Sequence, residues 1–171
     1  MHYLIKGPSR LEGRFRPSGN KNGALPILAG CLLADGPVTL ENVPEIRDVL
    51  TMMDLMKQLG AEVERLGSGS FRIDSSGLDS GSVDPELSRR IRASILLAGP
   101  LLARRGEVVL PPPGGDVIGR RRLDTHFLAL GKLGAKVEAG DSYELRAKEL
   151  HGADIFLDEP SVTGTENAIL A

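Results

Sequence analysis

A pattern that occurs twice constrains this chain more than any single motif. Ala24–Val38 (ALPILAGCLLADGPV) and Ala93–Val108 (ASILLAGPLLARRGEV) share an apolar helical run with an Ala-Gly pair, then Leu-Leu-Ala, then a short Gly turn into a β-type segment. Leu59-Gly60-Ala61 and Leu133-Gly134-Ala135 each end a helical run and open a strand pair. The offset is 69 residues from Ala29 to Ala98 and 74 from Gly60 to Gly134. Self-similarity at such a period means one supersecondary unit stacked against its copy. The unit is helix, strand, helix, strand, strand, which predicts an α/β (α+β) fold.

Each piece is physically sensible. VTLENV and EVVL have the β-branched content of short strands. In EIRDVLTMMDLMKQLG, Ile46, Val49, Leu50, Met53, Leu55 and Met56 fall on one side of a helix, with Glu45 and Asp48 in its first turn and Lys57 in its last. Gly60 stands where a helix C-terminal glycine belongs. Glu62-Val63-Glu64 and Lys136-Val137-Glu138 alternate as half-buried strands do, with hairpin loops at 67–70 and 140–142. Unit one spans about 21–78, unit two about 85–150, and a third copy starts at 151–171, with ADIFLDEPSV as strand and turn and TENAILA as the opening of a helix. Nothing at Ala171 signals a helix stop, so the chain is expected to be a piece of a longer one. An incomplete third unit leaves helix faces uncovered, and self-association is expected from that. Residues 1–20 lie outside the repeat and read as two short strands, YLIKG and LEGRFRPSG.

Composition excludes several classes of function. Lys and Arg total 21 against 23 Asp and Glu, a net charge of −2, and there are four Phe, two Tyr and no Trp. Neither bulk charge nor stacking surface suits a nucleic-acid partner. The lone Cys31 sits in an apolar run, reads as a buried inert thiol, and excludes an internal disulfide or a Cys-rich zinc site. His126 follows Asp124 by two residues on a helix, so the pair do not face each other, and no metal site is expected. The uncharged runs are too short for a membrane span and the N-terminus lacks a signal-peptide layout, so a cytoplasmic protein with no membrane partner is expected.

The charges at helix starts break the usual rule that acidic residues sit there. Lys21 opens the first apolar helix after Ser18-Gly19-Asn20. Arg89, Arg90 and Arg92 precede its second copy, and Arg120, Arg121 and Arg122 follow a Gly-rich run containing Asp116. Under the 74-residue offset, Ile46-Arg47-Asp48 becomes Arg120-Arg121-Arg122. Two readings stand. The cations converge on an anionic ligand, as backbone N–H groups and guanidinium forks allow. Alternatively, they are solvated helix starts paired to Asp84, Glu86 or Asp124. Asp116, as a lone acid in a Gly-rich loop, reads first as a structural loop residue and second as a functional acid, whose pKa nearby arginines would lower and burial would raise.

Five segments in order add a resemblance. KNGALP at 21–26, NVPEIRDV at 42–49, RIRASILLAGPLLAR at 90–104, PGGDVIGRRRLDTH at 113–126 and PSVTGTEN at 160–167 make the chain similar to UDP-N-acetylglucosamine enolpyruvyl transferases (1-carboxyvinyltransferases) across essentially its whole length. The resemblance implies an inside-out α/β barrel of the enolpyruvyl transferase type, built from repeated β-α-β-α-β-β units. It places residues 1–20 in another, mostly absent domain and 21–171 in an incomplete one. The implied reaction moves the enolpyruvyl group of phosphoenolpyruvate to the 3-hydroxyl of UDP-N-acetylglucosamine, releasing phosphate, in peptidoglycan synthesis, with no cofactor. It implies catalytic roles for Asp116 and Lys21, phosphoenolpyruvate contacts for Lys21 and Asn22, and UDP-sugar contacts for Arg92, Arg121, Asp124, Ser161 and Val162. Most members carry Cys where this chain has Asp116; a carboxylate is a poorer target for epoxide alkylation than a thiolate, which implies fosfomycin resistance. Glu159 stands where Lys is frequent and Thr163 where Gly is usual. A non-catalytic UDP-sugar-binding or assembly module on the same fold is the alternative, and the fragment alone is expected to be inactive.

Overall fold

A computed structural model describes residues 2–115 and 122–171. Helix α1 (Lys21–Cys31), strand β1 (Val38–Leu40), helix α2 (Arg47–Gln58) and the hairpin β2 (Glu62–Gly67) and β3 (Ser70–Asp74) form unit one. Unit two opens with a single turn, α3 (Pro85–Ser88), and a 3-10 segment (Arg92–Leu97) that runs into α4 (Ala98–Arg105). It continues with β4 (Glu107–Leu110), α5 (Asp124–Lys132), β5 (Lys136–Ala139) and β6 (Tyr143–Arg146). Helix α6 (Val162–Leu170) opens the third unit.

The duplication holds down to register. Each unit has a three-stranded antiparallel sheet with its last strand in the middle, in the orders β1-β3-β2 and β4-β6-β5. Ile73 is flanked by Val38 and Val63, and Leu145 by Val108 and Val137, so one apolar row crosses each sheet at the same place. The turns match too. Ala61 N–H bonds to the Met56 carbonyl at 3.0 Å and Ala135 N–H to Leu130 at 3.0 Å, the six-to-one closure of a Schellman motif. Gly60 and Gly134 hold φ of 103° and 108°. The carbonyls of Leu59 and Leu133 then accept from the N–H of Asp79 and His151. A Cβ on Gly60 would lie 2.3 Å from the Gly77 carbonyl oxygen, so glycine is required there by space as well as by dihedral.

Helices α1, the 3-10 segment with α4, and α6 touch one another in the interior, and the sheets lie outside them. Leu28, Leu32, Ile95, Leu97 and Leu101 of these segments are sealed from solvent together with Met52, Leu55 and Met56 of α2, which packs on α1 and the 3-10 segment. The sheets contribute Phe71, Ile73, Val108 and Leu145 from their inner faces. Cys31 is buried here as expected, and burial pushes its thiol up to about 11. Among the described residues, no helix is long and apolar enough to cross a membrane.

Several expectations require correction. The described part of residues 1–20 forms no strand, and Leu4, Ile5, Leu11 and Phe15 are exposed. ADIFLDEPSV forms none either, and Phe156 is 92% exposed. A strand needs a partner edge, and these segments find none among the described residues. On α2 the buried face is Val49, Met52, Met53, Leu55 and Met56, while Ile46 and Leu50 face solvent. The second copy of the apolar helix is divided at Ala98 rather than continuous. The division puts Pro100 in the first turn of α4, where its missing N–H costs nothing.

Candidate functional site

Helix α1 begins without an acidic residue in its first turn. Asn20 caps it, its side-chain oxygen accepting from the N–H groups of Asn22 (2.7 Å) and Gly23 (3.1 Å). Lys21 and Asn22 project from this N-terminus. Pro26, inside the helix, has no N–H to give the Asn22 carbonyl. The 3-10 segment likewise starts without an acid, at Arg92. Helix α6 is capped by Ser161, whose hydroxyl accepts from Gly164 N–H at 3.1 Å, and also lacks a first-turn acid. Three equivalent helix starts, one from each unit, therefore share an electropositive character.

They meet at one place. A cleft of about 710 Å³ is bordered by Lys21 and Asn22 of α1, Arg92 of the 3-10 segment, and Val162, Thr163 and Glu166 of α6. Arg47, Asp48, Arg89 and Arg90 complete its charged lining, giving five basic side chains against two acidic ones. Lys21 pairs with Asp48 at 3.1 Å, and Arg89 with Glu86 at 3.1 Å. Among the described residues, Arg47 and Arg90 take part in no ion pair. Glu166 is held above the ordinary carboxylate range by burial. An excess of cations around three helix starts is suited to a multiply charged anion.

An adjoining depression of about 740 Å³ shares Arg92 and adds Arg122, Asp124, and the rings of Phe127 and Tyr143. The two rings lie 4.7 Å apart at 44°. The Arg92 guanidinium donates to the Arg122 carbonyl at 3.3 Å. Arg122 holds Asp124 through Nε at 2.8 and 2.9 Å and reaches Asp158 at 2.7 Å and Glu159 at 3.8 Å. The hydrogen bond from Arg122 keeps the Asp124 carboxyl below its ordinary range.

Of the residues expected at a site, Lys21, Asn22, Arg92 and Val162 share the cleft, Asp124 lies in the adjoining depression, and Ser161 caps α6 without lining the cleft. Asp116 and Arg121 fall outside the described residues. Gly115, immediately before them, lines the cleft. Arg89 and Arg122 are paired to Glu86 and Asp124, while Asp84 caps α3 through Leu87 N–H instead of pairing. Arg47 and Glu166 are site residues that sequence reasoning missed. Arg47 was hidden beside Asp48 in a first turn read as acidic, and Glu166 belongs to a third copy too short to align. His126, given no role from sequence, is 3% exposed and bonded at both ring nitrogens.

The family pattern of EPSP synthase (3-phosphoshikimate 1-carboxyvinyltransferase) matches residues 5–171. UDP-N-acetylglucosamine 1-carboxyvinyltransferase from Bradyrhizobium diazoefficiens is 61% identical over 171 residues, all of this chain and 40% of that protein. The same-named protein of Treponema denticola is 52% identical over 172 aligned positions, again 100% of this chain and 40% of its own length. The chain thus spans about 40% of the curated relatives it matches. Among solved structures, the enolpyruvyl transferase NikO from Streptomyces tendae superposes with a TM-score of 0.68 at 28% identity, covering 84% of this chain and 32% of that one. EPSP synthase from Acinetobacter baumannii superposes at 0.73 over 92% of this chain and 37% of its own, with 19% identity, a likeness of fold.

Proposed function

The chain belongs to the EPSP synthase family, and on that premise we propose that it forms part of an enzyme moving the enolpyruvyl group of phosphoenolpyruvate to the 3-hydroxyl of UDP-N-acetylglucosamine. Phosphate is released, and the reaction serves peptidoglycan synthesis in the cytoplasm. One observation carries the reading: three helix starts from three repeated units bring Lys21, Asn22, Arg92 and Val162 to one cation-rich cleft. The names of relatives at 61% and 52% identity support UDP-N-acetylglucosamine as the acceptor.

The chemistry assigns the roles. Carbon 3 of phosphoenolpyruvate takes a proton from a general acid while the sugar oxygen bonds to carbon 2 and loses its own proton to a base; the bond from carbon 2 to the phosphate oxygen then breaks as carbon 3 gives a proton back, restoring the double bond. Phosphate and carboxylate charges need fixed cations, best supplied where water is excluded. Lys21 and Asn22 bind phosphoenolpyruvate, and Lys21 stabilises charge on the departing phosphate. Arg92 and Arg121 neutralise the remaining anionic groups, and Asp124, Ser161 and Val162 address the UDP-sugar. Asp116 is the general acid, and with a carboxylate there the enzyme resists fosfomycin. Residues 1–20 belong to a second domain, residues 21–171 to an incomplete first one, and the 171-residue chain alone lacks turnover and self-associates through uncovered helix faces.

The test is phosphate release by the complete enzyme. Release requires UDP-N-acetylglucosamine together with phosphoenolpyruvate, and Lys21→Ala lowers kcat/KM by about 10²–10³, as for loss of a charge-stabilising donor. Equal turnover with shikimate 3-phosphate, or UDP-sugar binding with no turnover, overturns the assignment.

A further inference from the structure

Thr163 lies in the first turn of α6 on the wall of the cleft, exposed to solvent. Its hydroxyl oxygen is 3.2 Å from His126 Nε2. The other imidazole nitrogen, Nδ1, is 2.9 Å from the Asn167 side-chain nitrogen. Asn167 is completely buried. Its amide also donates to the Ile95 carbonyl at 2.8 Å, and its oxygen accepts from Gly99 N–H at 2.8 Å.

This chain of bonds fixes every proton in it. A backbone carbonyl only accepts and a backbone N–H only donates, so Asn167 has one allowed orientation. Its NH₂ faces His126, which makes Nδ1 an acceptor. The neutral ring then carries its proton on Nε2 and donates to the Thr163 oxygen. A second ring proton would set Nδ1–H against the amide NH₂. Burial, and after it the positive charge of Arg92, also oppose it. With one lone pair of Thr163 occupied from the core side, its own O–H has no acceptor among the described residues and is left to donate into the cleft.

We infer that Thr163 is a further binding residue, donating a hydrogen bond to an acceptor oxygen of the nucleotide-sugar, and that His126 is the positioning residue that orients it. The inference rests on the proposed function and deepens it. A glycine at this position, as the sequence resemblance leads one to expect, has no hydroxyl to offer and could not make this contact.

The test has two arms. In the complete enzyme, Thr163→Val keeps the shape and removes the hydroxyl; it raises KM for UDP-N-acetylglucosamine about fivefold, the scale of one hydrogen bond, with KM for phosphoenolpyruvate unchanged. Thr163→Ser restores the wild-type value. A Val variant equal to wild type overturns the inference, as does a Ser variant as weak as Val, which would make the effect one of shape. In the second arm, nitrogen NMR of the wild-type imidazole at pH 6 shows a neutral ring protonated at Nε2. A ring protonated at Nδ1, or charged, overturns the role of His126 whatever the activity. Absence of wild-type turnover with UDP-N-acetylglucosamine counts against the proposed function, while the NMR arm still decides the geometry.

Discussion

In unit one, Glu45 takes the Arg65 guanidinium at 2.9 and 3.0 Å and the Gly69 N–H at 2.8 Å, while Asp48 pairs with Lys21. All five residues belong to that unit. In unit two, Arg122 occupies the matching stretch before α5 and reaches past its own Asp124 to Asp158 and Glu159, which lead into α6. At the far end of the unit, Arg104 donates to the carbonyls of Leu32 (2.9 Å) and Ala34 (3.0 Å), and Arg105 to that of Asp79 (3.1 Å), all in unit one. Unit one has a single Asp35 where these two arginines stand. Duplication preserved the backbone bonds and the apolar row across each sheet, and it reassigned the charges. Unit one keeps Glu45 and Asp48 paired within itself. Unit two sends Arg104, Arg105 and Arg122 to its neighbours, while Arg89 and Arg146 pair within it.

The matched glycines offer the largest break in this symmetry. Gly60→Ala strains a positive φ and drives a Cβ to 2.3 Å from a backbone oxygen, whereas at Gly134 the nearest atoms are the His151 ring at 3.0 Å and beyond. Denaturant unfolding is expected to show a loss of about 4 kcal/mol for the first and about 2 kcal/mol for the second. Equal losses would mean that the two turns are equivalent in energy as well as in hydrogen bonding.

The next effect belongs to unit two alone, because unit one has no counterpart of His126. Its pKa is pushed down to about 4 by burial, against 6.5 when unperturbed. The folded state therefore resists protonation: no stability is lost above pH 6.5, and about 3 kcal/mol is lost as pH falls from 6.5 toward 4. Glu166, with its pKa raised, acts in the opposite sense below neutrality. The difference between wild type and His126→Gln across this range isolates the histidine; a flat difference contradicts the buried neutral ring.

Smaller still is Arg104→Ala, which frees two carbonyls at the end of α1 and is expected to cost about 1 kcal/mol. Thermal unfolding should show this loss unchanged by salt, since the acceptors are uncharged. Glu45→Gln is expected to give the smallest drop in Tm, one that fades as salt rises, because its partner is an exposed guanidinium. An Arg104 effect that fades with salt, or a Glu45 effect that does not, would blur the contrast between the units.

Much of this was legible in the residues because it is local. The Leu-Gly-Ala turns, the alternation around Val63 and Val137, and the helix over 47–58 all follow from contacts within a few positions. The convergence of Lys21, Asn22, Arg92 and Val162 could be anticipated because repeated units put equivalent helix starts together. Strands at YLIKG, LEGRFRPSG and ADIFLDEPSV were overread, since β propensity says nothing about whether a partner edge exists. The bonds of His126 to Thr163 and Asn167 span 37 and 41 residues, and no periodicity encodes such a pairing.

Asn167 makes the packing of unit two depend on the unit that follows it. It sits 72 residues after Ile95 and 68 after Gly99, yet its side chain bonds to the carbonyl of the first and the N–H of the second. The Ile95 carbonyl also accepts from the Ala98 N–H, so the Gly99 N–H is the group that depends on α6 for its partner. Apolar surface laid over that N–H in place of Asn167 would cost about 1–3 kcal/mol, so the start of α4 in unit two accepts only a polar side chain from its successor.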